Sequence, residues 1–203
     1  TSVLHENRTF TPKKEFAEKS LVGSMAAYKK MYEQSIADPD AFWREIAKDF
    51  TWKKDFAKVR EFSFGENLHI RWFSGGVTNL CDNALDRHLP LHAGKPAIVF
   101  VSNEGEAQKI TYRALHAAVC QFAGALTSLG LKAGDAVAIY MPMVPEAAVA
   151  MLACVRLGLV HNVVFGGFSA QSLRDRLLDS KAKILITANQ LLRGNKTLDL
   201  KIF

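Results

Sequence analysis

Between Ala136 and Ala188 the sequence switches repeatedly between two hydrophobic periods, and this switching constrains the fold more than any other feature of the chain. Ala136 to Tyr140, Val160 to Phe165 and Lys183 to Ala188 are short, largely apolar runs of strand length. Pro145 to Leu157 and Ser169 to Asp179, which separate them, carry apolar residues at helical spacing. Strands that are apolar throughout and joined by helices pair in parallel, because each crossover helix returns the chain to the same end of the sheet. The expected fold class is therefore α/β, built from βαβ units, with helices covering both faces of the sheet. No period of solenoid length and no low-complexity segment competes with this reading.

Upstream the pattern is less regular. Residues 1–65 read as helical pieces in an irregular layout. Ser24 can cap a run in which Ala27, Tyr28, Met31 and Tyr32 recur at helical spacing. Asp38-Pro39-Asp40 can open a second helix with Phe42, Trp43, Ile46 and Ala47 on one stripe, extended by Phe50. An aromatic stripe of this kind packs against a larger body, so residues 1–67 are expected to form an N-terminal helical wrapping segment and residues 68–203 an α/β domain. Leu68 to Trp72 alternates as a strand and Asn79 to His88 reads as a helix. Pro96 to Val101 and Lys109 to Tyr112 read as a hairpin around Ser102 to Glu106, followed by a helix from about Tyr112 to Leu129 that Gly130 ends.

Composition narrows the partners. The net charge is +6, but Lys and Arg alternate with Asp and Glu along the chain, as at Lys53-Lys54-Asp55, with no basic block and no aromatic RNA-binding signature. This describes a mixed-charge surface, with no nucleic-acid partner expected. Apolar runs such as Ala147 to Val155 are broken by Arg156 and Gly158, well short of the roughly 18 apolar residues of a membrane span, so no membrane partner is expected. Thr1 to Phe10 does not read as a secretory or transit segment. Cys81, Cys120 and Cys154 occur singly, which suits reduced, buried thiols and a cytoplasmic location.

Ligands of open parallel sheets bind beyond the carboxyl ends of the strands, so the turns after Tyr140, Phe165 and Ala188 are the places to inspect. After Tyr140, Pro145 and Glu146 suit a first helical turn and need no ligand. After Phe165, Gly166-Gly167-Phe168-Ser169 permits a tight turn with close approach of a phosphate, and Ser169 can cap the next helix. After Ala188, Arg193-Gly194-Asn195-Lys196 sets two cations three residues apart, a guanidinium that can fork onto a phosphate and an ammonium point charge. No metal site is expected: His88 and His92 are four apart, but Pro90 between them is read as preventing the helix that would align them. No Ser/His/Asp set, HExxH, GxGxxG or Walker-type loop is present, and no catalytic residue is assigned.

Several stretches resemble the AMP-forming acetyl-CoA synthetases (acetate–CoA ligases) of the adenylate-forming acyl-CoA synthetase family: YKKMYEQSIADPDAFW at Tyr28 to Trp43, NALDRHL at Asn83 to Leu89, ITYRAL at Ile110 to Leu115, VAIYMPMVPEAAVAMLACVRLG at Val137 to Gly158, VVFGGFS at Val163 to Ser169 and LRGNK at Leu192 to Lys196. The resemblance implies an enzyme that joins acetate to ATP as acetyl-AMP, releases pyrophosphate with magnesium assisting, and passes the acetyl group to CoA. It implies that small molecules (acetate, ATP and CoA) are the partners, and that Phe165, Gly166, Gly167, Arg193, Gly194, Asn195 and Lys196 line the site for the CoA nucleotide. The family usually has a second glycine where this chain has Asn195. By the same resemblance the phosphate loop, acyl pocket, ATP and magnesium sites and catalytic lysine fall beyond Phe203, so the chain is expected to be an N-terminal portion, inactive alone. Two other classes are set against this one, a truncated paralogue with a regulatory role and a nicotinamide-dinucleotide module; the missing GxGxxG counts against the second.

Overall fold

The computed structural model describes residues 8–193 and 196–200. The chain divides into two compact units, one of Thr1–Phe50 with Phe56–Gly75, the other of Thr51–Asp55 with Gly76–Phe203.

The first unit holds helices α1 (Lys14–Glu18), α2 (Met25–Ala37) and α3 (Pro39–Ala47) and the hairpin β1 (Lys58–Ser63) and β2 (His69–Ser74). The predicted caps form: Ser24 accepts from the Ala27 N–H at 3.1 Å and Asp38 from the Ala41 N–H at 3.0 Å, with Pro39 opening α3. Sequence reasoning missed β1, because its alternation is weakened by exposed Phe62 and by charges on both faces. Its pairing with β2, Arg60 opposite Trp72 and Phe62 opposite Ile70, places residue 67 inside a hairpin. The Trp43 ring meets Trp72 edge-on at 5.9 Å, and the Arg60 Nε–H donates to Asp40 at 2.6 Å, so the α3 stripe packs on this hairpin.

The second unit contains α4 (Leu80–Ala84), a 3₁₀ turn (Asp86–His88), α5 (Leu89–His92), β3 (Pro96–Val101), β4 (Ala107–Thr111), α6 (Tyr112–Ser128), β5 (Ala136–Met141), α7 (Pro145–Leu157), β6 (Val160–Phe165), α8 (Ala170–Ser180), β7 (Ile184–Thr187), β8 (Gln190–Arg193) and β9 (Lys196–Asp199). The expected parallel sheet is present in the order β6-β5-β7, with Ile139 opposite Val163 on one side and Ile186 on the other. Central β5 is fully covered, and Val137, Ala138, Ile139 and Tyr140 are each 0% exposed. Coverage of both faces, expected for the whole sheet, fails at β6. There Val163 and Phe165, on one face of this edge strand, are more than half exposed because no helix lies over that face among the described residues, whereas Val164 on the opposite face is buried with Leu173. Helices α6 and α7 pack on the other side of the sheet around Leu115, Val119, Ala150 and Ala153, while Leu173 of α8 packs on Tyr140 and Val164.

Two local expectations need correction. The single helix expected over Asn79 to His88 is broken at Leu85, whose backbone (φ −131°, ψ −63°) leaves the helical region. Pro90 does not keep His88 and His92 apart: it occupies the first turn of α5, where its missing N–H costs nothing, and the two rings stack at 6.1 Å. Even so, among the described residues no three His, Cys, Asp or Glu side chains gather to hold a metal ion. Cys81 and Cys154 are buried as expected, but Cys120 is exposed on α6; all three are free. Among the described residues no helix is long and apolar enough to cross a membrane.

Candidate functional site

The carboxyl ends of β5 and β6 open into a cavity of about 460 Å³ in the second unit. Its walls come from the β3–β4 turn at Ser102 to Glu104, the β5 exit at Met141 to Val144, Phe165 and Gly166 at the end of β6, and Gln190 to Leu192 of β8. This is where an open parallel sheet presents its ligand-binding crevice. Another cavity, of about 440 Å³, lies between α2 and α3 in the first unit and is lined mainly by apolar residues, with Asp38 there serving as a helix cap.

The glycine turn is shaped by its own chain. A methyl on Gly166 would come within 3.2 Å of the Met141 carbonyl oxygen and 3.4 Å of Leu191 Cδ2, so glycine is what lets β6, β5 and β8 converge. Gly167 adopts φ +111°, outside the range side-chain-bearing residues readily occupy. Its N–H donates to Tyr140 Oη at 3.2 Å, and the Tyr140 hydroxyl donates to the Phe168 carbonyl at 3.0 Å. Sequence reasoning missed this buried tyrosine; its signal was the one polar tip in the otherwise apolar run of β5. Ser169 accepts from the Ser172 N–H at 3.2 Å, the cap foreseen for α8. Phe165 is 60% exposed and its ring lies 6.1 Å from that of Phe168, over which the Arg176 guanidinium sits at 5.3 Å.

The segment after Ala188, expected as a basic loop, is a β-hairpin. Strands β8 and β9 pair antiparallel with Arg193 directly opposite Lys196, and Leu198 opposite Leu191. The two cations thus flank a two-residue connection, Gly194 and Asn195, which lies outside the described residues. Lys196 is exposed. Phe165 and Gly166 are therefore brought together with Leu191 and Leu192, the residues leading into Arg193, around one cavity. Because the Gly167 and Phe168 amides already donate within the turn, to Tyr140 Oη and to the Phe165 carbonyl at 3.2 Å, the turn has few N–H groups left for an anion.

Residues 85–201 match the sequence model described as AMP-binding enzyme. The chain belongs to the AMP-binding enzyme family. Residues 28–84 of this AMP-binding-family chain match a second description, acetyl-coenzyme A synthetase N-terminus. Among its relatives are an acetyl-coenzyme A synthetase of Laribacter hongkongensis, 47% identical over 201 residues that make up 98% of this chain and 30% of the relative. A Shewanella frigidimarina protein of the same name is 51% identical over 189 residues, 92% of this chain and 29% of the relative. In structure the chain is similar to acetoacetyl-CoA synthetase from Streptomyces lividans, with a TM-score of 0.78 and 26% identity over 92% of this chain and 29% of that one. The chain thus spans about 30% of the length of the curated relatives it matches.

Proposed function

We propose that this chain supplies the amino-terminal region of an acetate–CoA ligase that makes acetyl-CoA from acetate, ATP and CoA through acetyl-AMP, and that the cavity between the glycine turn and the β8–β9 hairpin receives the phosphate-bearing nucleotide of CoA. The observation carrying this reading is a convergence: the family-matched turn Phe165-Gly166-Gly167 and the strand leading into Arg193 meet at one cavity beyond the carboxyl ends of parallel strands. With the turn amides engaged internally, anion recognition falls to Arg193 and Lys196, aided by Gly194 and Asn195, while the exposed Phe165 ring offers an apolar face to the nucleotide. Magnesium, when bound, would neutralise phosphate charge on ATP during adenylation. The described residues of this chain gather no ligand set for it, and none is assigned that role. Three free cysteines suit a cytoplasmic enzyme.

The test uses a chimera in which residues 1–203 replace the matching region of the Laribacter hongkongensis relative. There Arg193→Ala should raise the apparent KM for CoA and leave acetate-dependent ATP–pyrophosphate exchange nearly intact. Loss of a charge-assisted hydrogen bond to a partly exposed phosphate costs about 1.5–3 kcal/mol, roughly tenfold to a hundredfold in KM. Lys196→Ala should do less, since its ammonium makes a screened point contact. Unchanged CoA dependence, or exchange lost in parallel, would overturn the assignment.

A further inference from the structure

Two glycines in succession leave the turn after β6 free to take many shapes, since neither carries a side chain that restricts its backbone. What ties the turn into one shape is a side chain 27 residues away. Tyr140 of β5 is 0% exposed and packs among Val164, Leu173 and Leu200. In such apolar surroundings a phenol needs its hydroxyl paired, and here it pairs twice with the turn, accepting from the Gly167 N–H at 3.2 Å and donating to the Phe168 carbonyl at 3.0 Å. The Phe168 N–H in turn donates to the Phe165 carbonyl at 3.2 Å, and the two phenylalanine rings meet edge-on at 6.1 Å. Phe165 is thus held through Phe168 by backbone and by ring, and Phe168 is held by Tyr140. Leu191 packs against the same buried cluster and lines the cavity from β8, so Tyr140 stands behind two of the cavity's walls. Packing alone does not call for the oxygen, because a phenylalanine would fill the same core space.

We infer that Tyr140 is a positioning residue for the nucleotide of CoA, a role that rests on the reading of this cavity as the CoA site: its hydroxyl ties the Gly166-Gly167 turn into the shape that presents the Phe165 ring to the cavity. A turn already held in this shape does not have to be ordered by the ligand, and binding is stronger for it. Without the hydroxyl, the Gly167 N–H and the Phe168 carbonyl lose their buried partner and turn toward water. Phe165 then occupies its binding position only part of the time, and the apparent affinity for CoA falls by that fraction. Adenylation proceeds before CoA enters, so it does not depend on this tie.

In the chimera described above, Tyr140→Phe should raise the apparent KM for CoA roughly threefold to tenfold, the range of one neutral hydrogen bond once water has taken over part of the lost pairing, while acetate-dependent ATP–pyrophosphate exchange stays within about twofold of the parent. A role in folding alone would lower exchange and overall turnover together and leave KM for CoA where it was. In a Phe165→Ala background, Tyr140→Phe should change KM by less than about twofold, because the ring it positions is gone. In the 203-residue chain, backbone hydrogen exchange read by mass spectrometry should be faster in Tyr140→Phe for peptides covering residues 163–169 and unchanged for peptides of α6. An unchanged KM, exchange activity lost in parallel, additive effects of the two substitutions, or unaltered backbone exchange over residues 163–169 overturns the inference. If Arg193→Ala raises KM for CoA and Tyr140→Phe does not, the positioning role fails and the site reading stands. If Arg193→Ala, Phe165→Ala and Tyr140→Phe all leave KM unchanged, the site reading itself fails and the positioning role with it.

Discussion

Gly167→Ala should destabilise the chain even though nothing lies within 4 Å of the position its new methyl would take. The cost is in the backbone. Gly167 sits at φ +111°, and an alanine held in a sparsely populated region costs about 1–3 kcal/mol unless the turn moves. Moving it breaks the hydrogen bond from its N–H to Tyr140 Oη at 3.2 Å, worth about 1 kcal/mol, so relaxation gives no free escape. For a chain of this size each kcal/mol shifts Tm by about 2–4 °C, which places the expected loss at roughly 2–12 °C. Gly124 in α6 is the matched control, since it too has open space around its missing Cβ but lies in the helix interior. Gly124→Ala should stabilise by about 0.5–1 kcal/mol. Far-UV circular dichroism melts of both variants against the parent chain are sufficient. If Gly167→Ala melts at or above the parent while Gly124→Ala rises as expected, the positive φ is not what holds this turn and the reasoning fails.

Asn83, 8% exposed, accepts from the Thr51 N–H at 2.7 Å and donates to the Thr51 carbonyl at 3.0 Å and to Thr78 Oγ1 at 2.9 Å. Asn83→Ala strands the Thr51 N–H, while the Thr51 carbonyl keeps the Thr78 hydroxyl as donor at 2.7 Å, and should cost on the order of 2 kcal/mol in denaturant unfolding; a loss below about 1 kcal/mol would show that water replaces it. The Lys183 ammonium at 2.6 Å, and then the Lys132 N–H, hold the Asp135 carboxyl below the usual aspartate value. Its contribution to stability is thus complete above about pH 3.9 and lost as pH falls below that value, so Asp135→Asn should narrow the gap between stability at pH 7 and at pH 3. An unchanged gap would show that the pair is screened out. On the proposed ligase reading, residues 1–203, which span about 30% of the length of their relatives, should give no acetate-dependent ATP–pyrophosphate exchange alone, since such catalysis rests on positioning and charge stabilisation of the phosphates by the whole site; exchange above background from pure protein would contradict this.

What the sequence determined by itself was whatever depends on neighbours along the chain. The strand–helix alternation from Ala136 to Ala188 specified a parallel sheet, since its two periods cannot be exchanged without exposing apolar faces. Ser24, Asp38 and Ser169 capped the helices they precede because a cap bonds only two or three residues onward. Only the tertiary structure decided the long-range features. The break at Leu85 lies inside a helical pattern and accompanies the placement of Asp86 on Arg156, 70 residues away. The Arg193 to Lys196 segment reads as loop because its strands are short and carry charge, yet it pairs as a hairpin. Gly166 looked like an opening for a ligand, but much of that opening is filled by Met141 and Leu191, which a linear pattern cannot place beside it. Close approach between segments distant in sequence depends on how the sheet packs, and period and propensity carry no information about that.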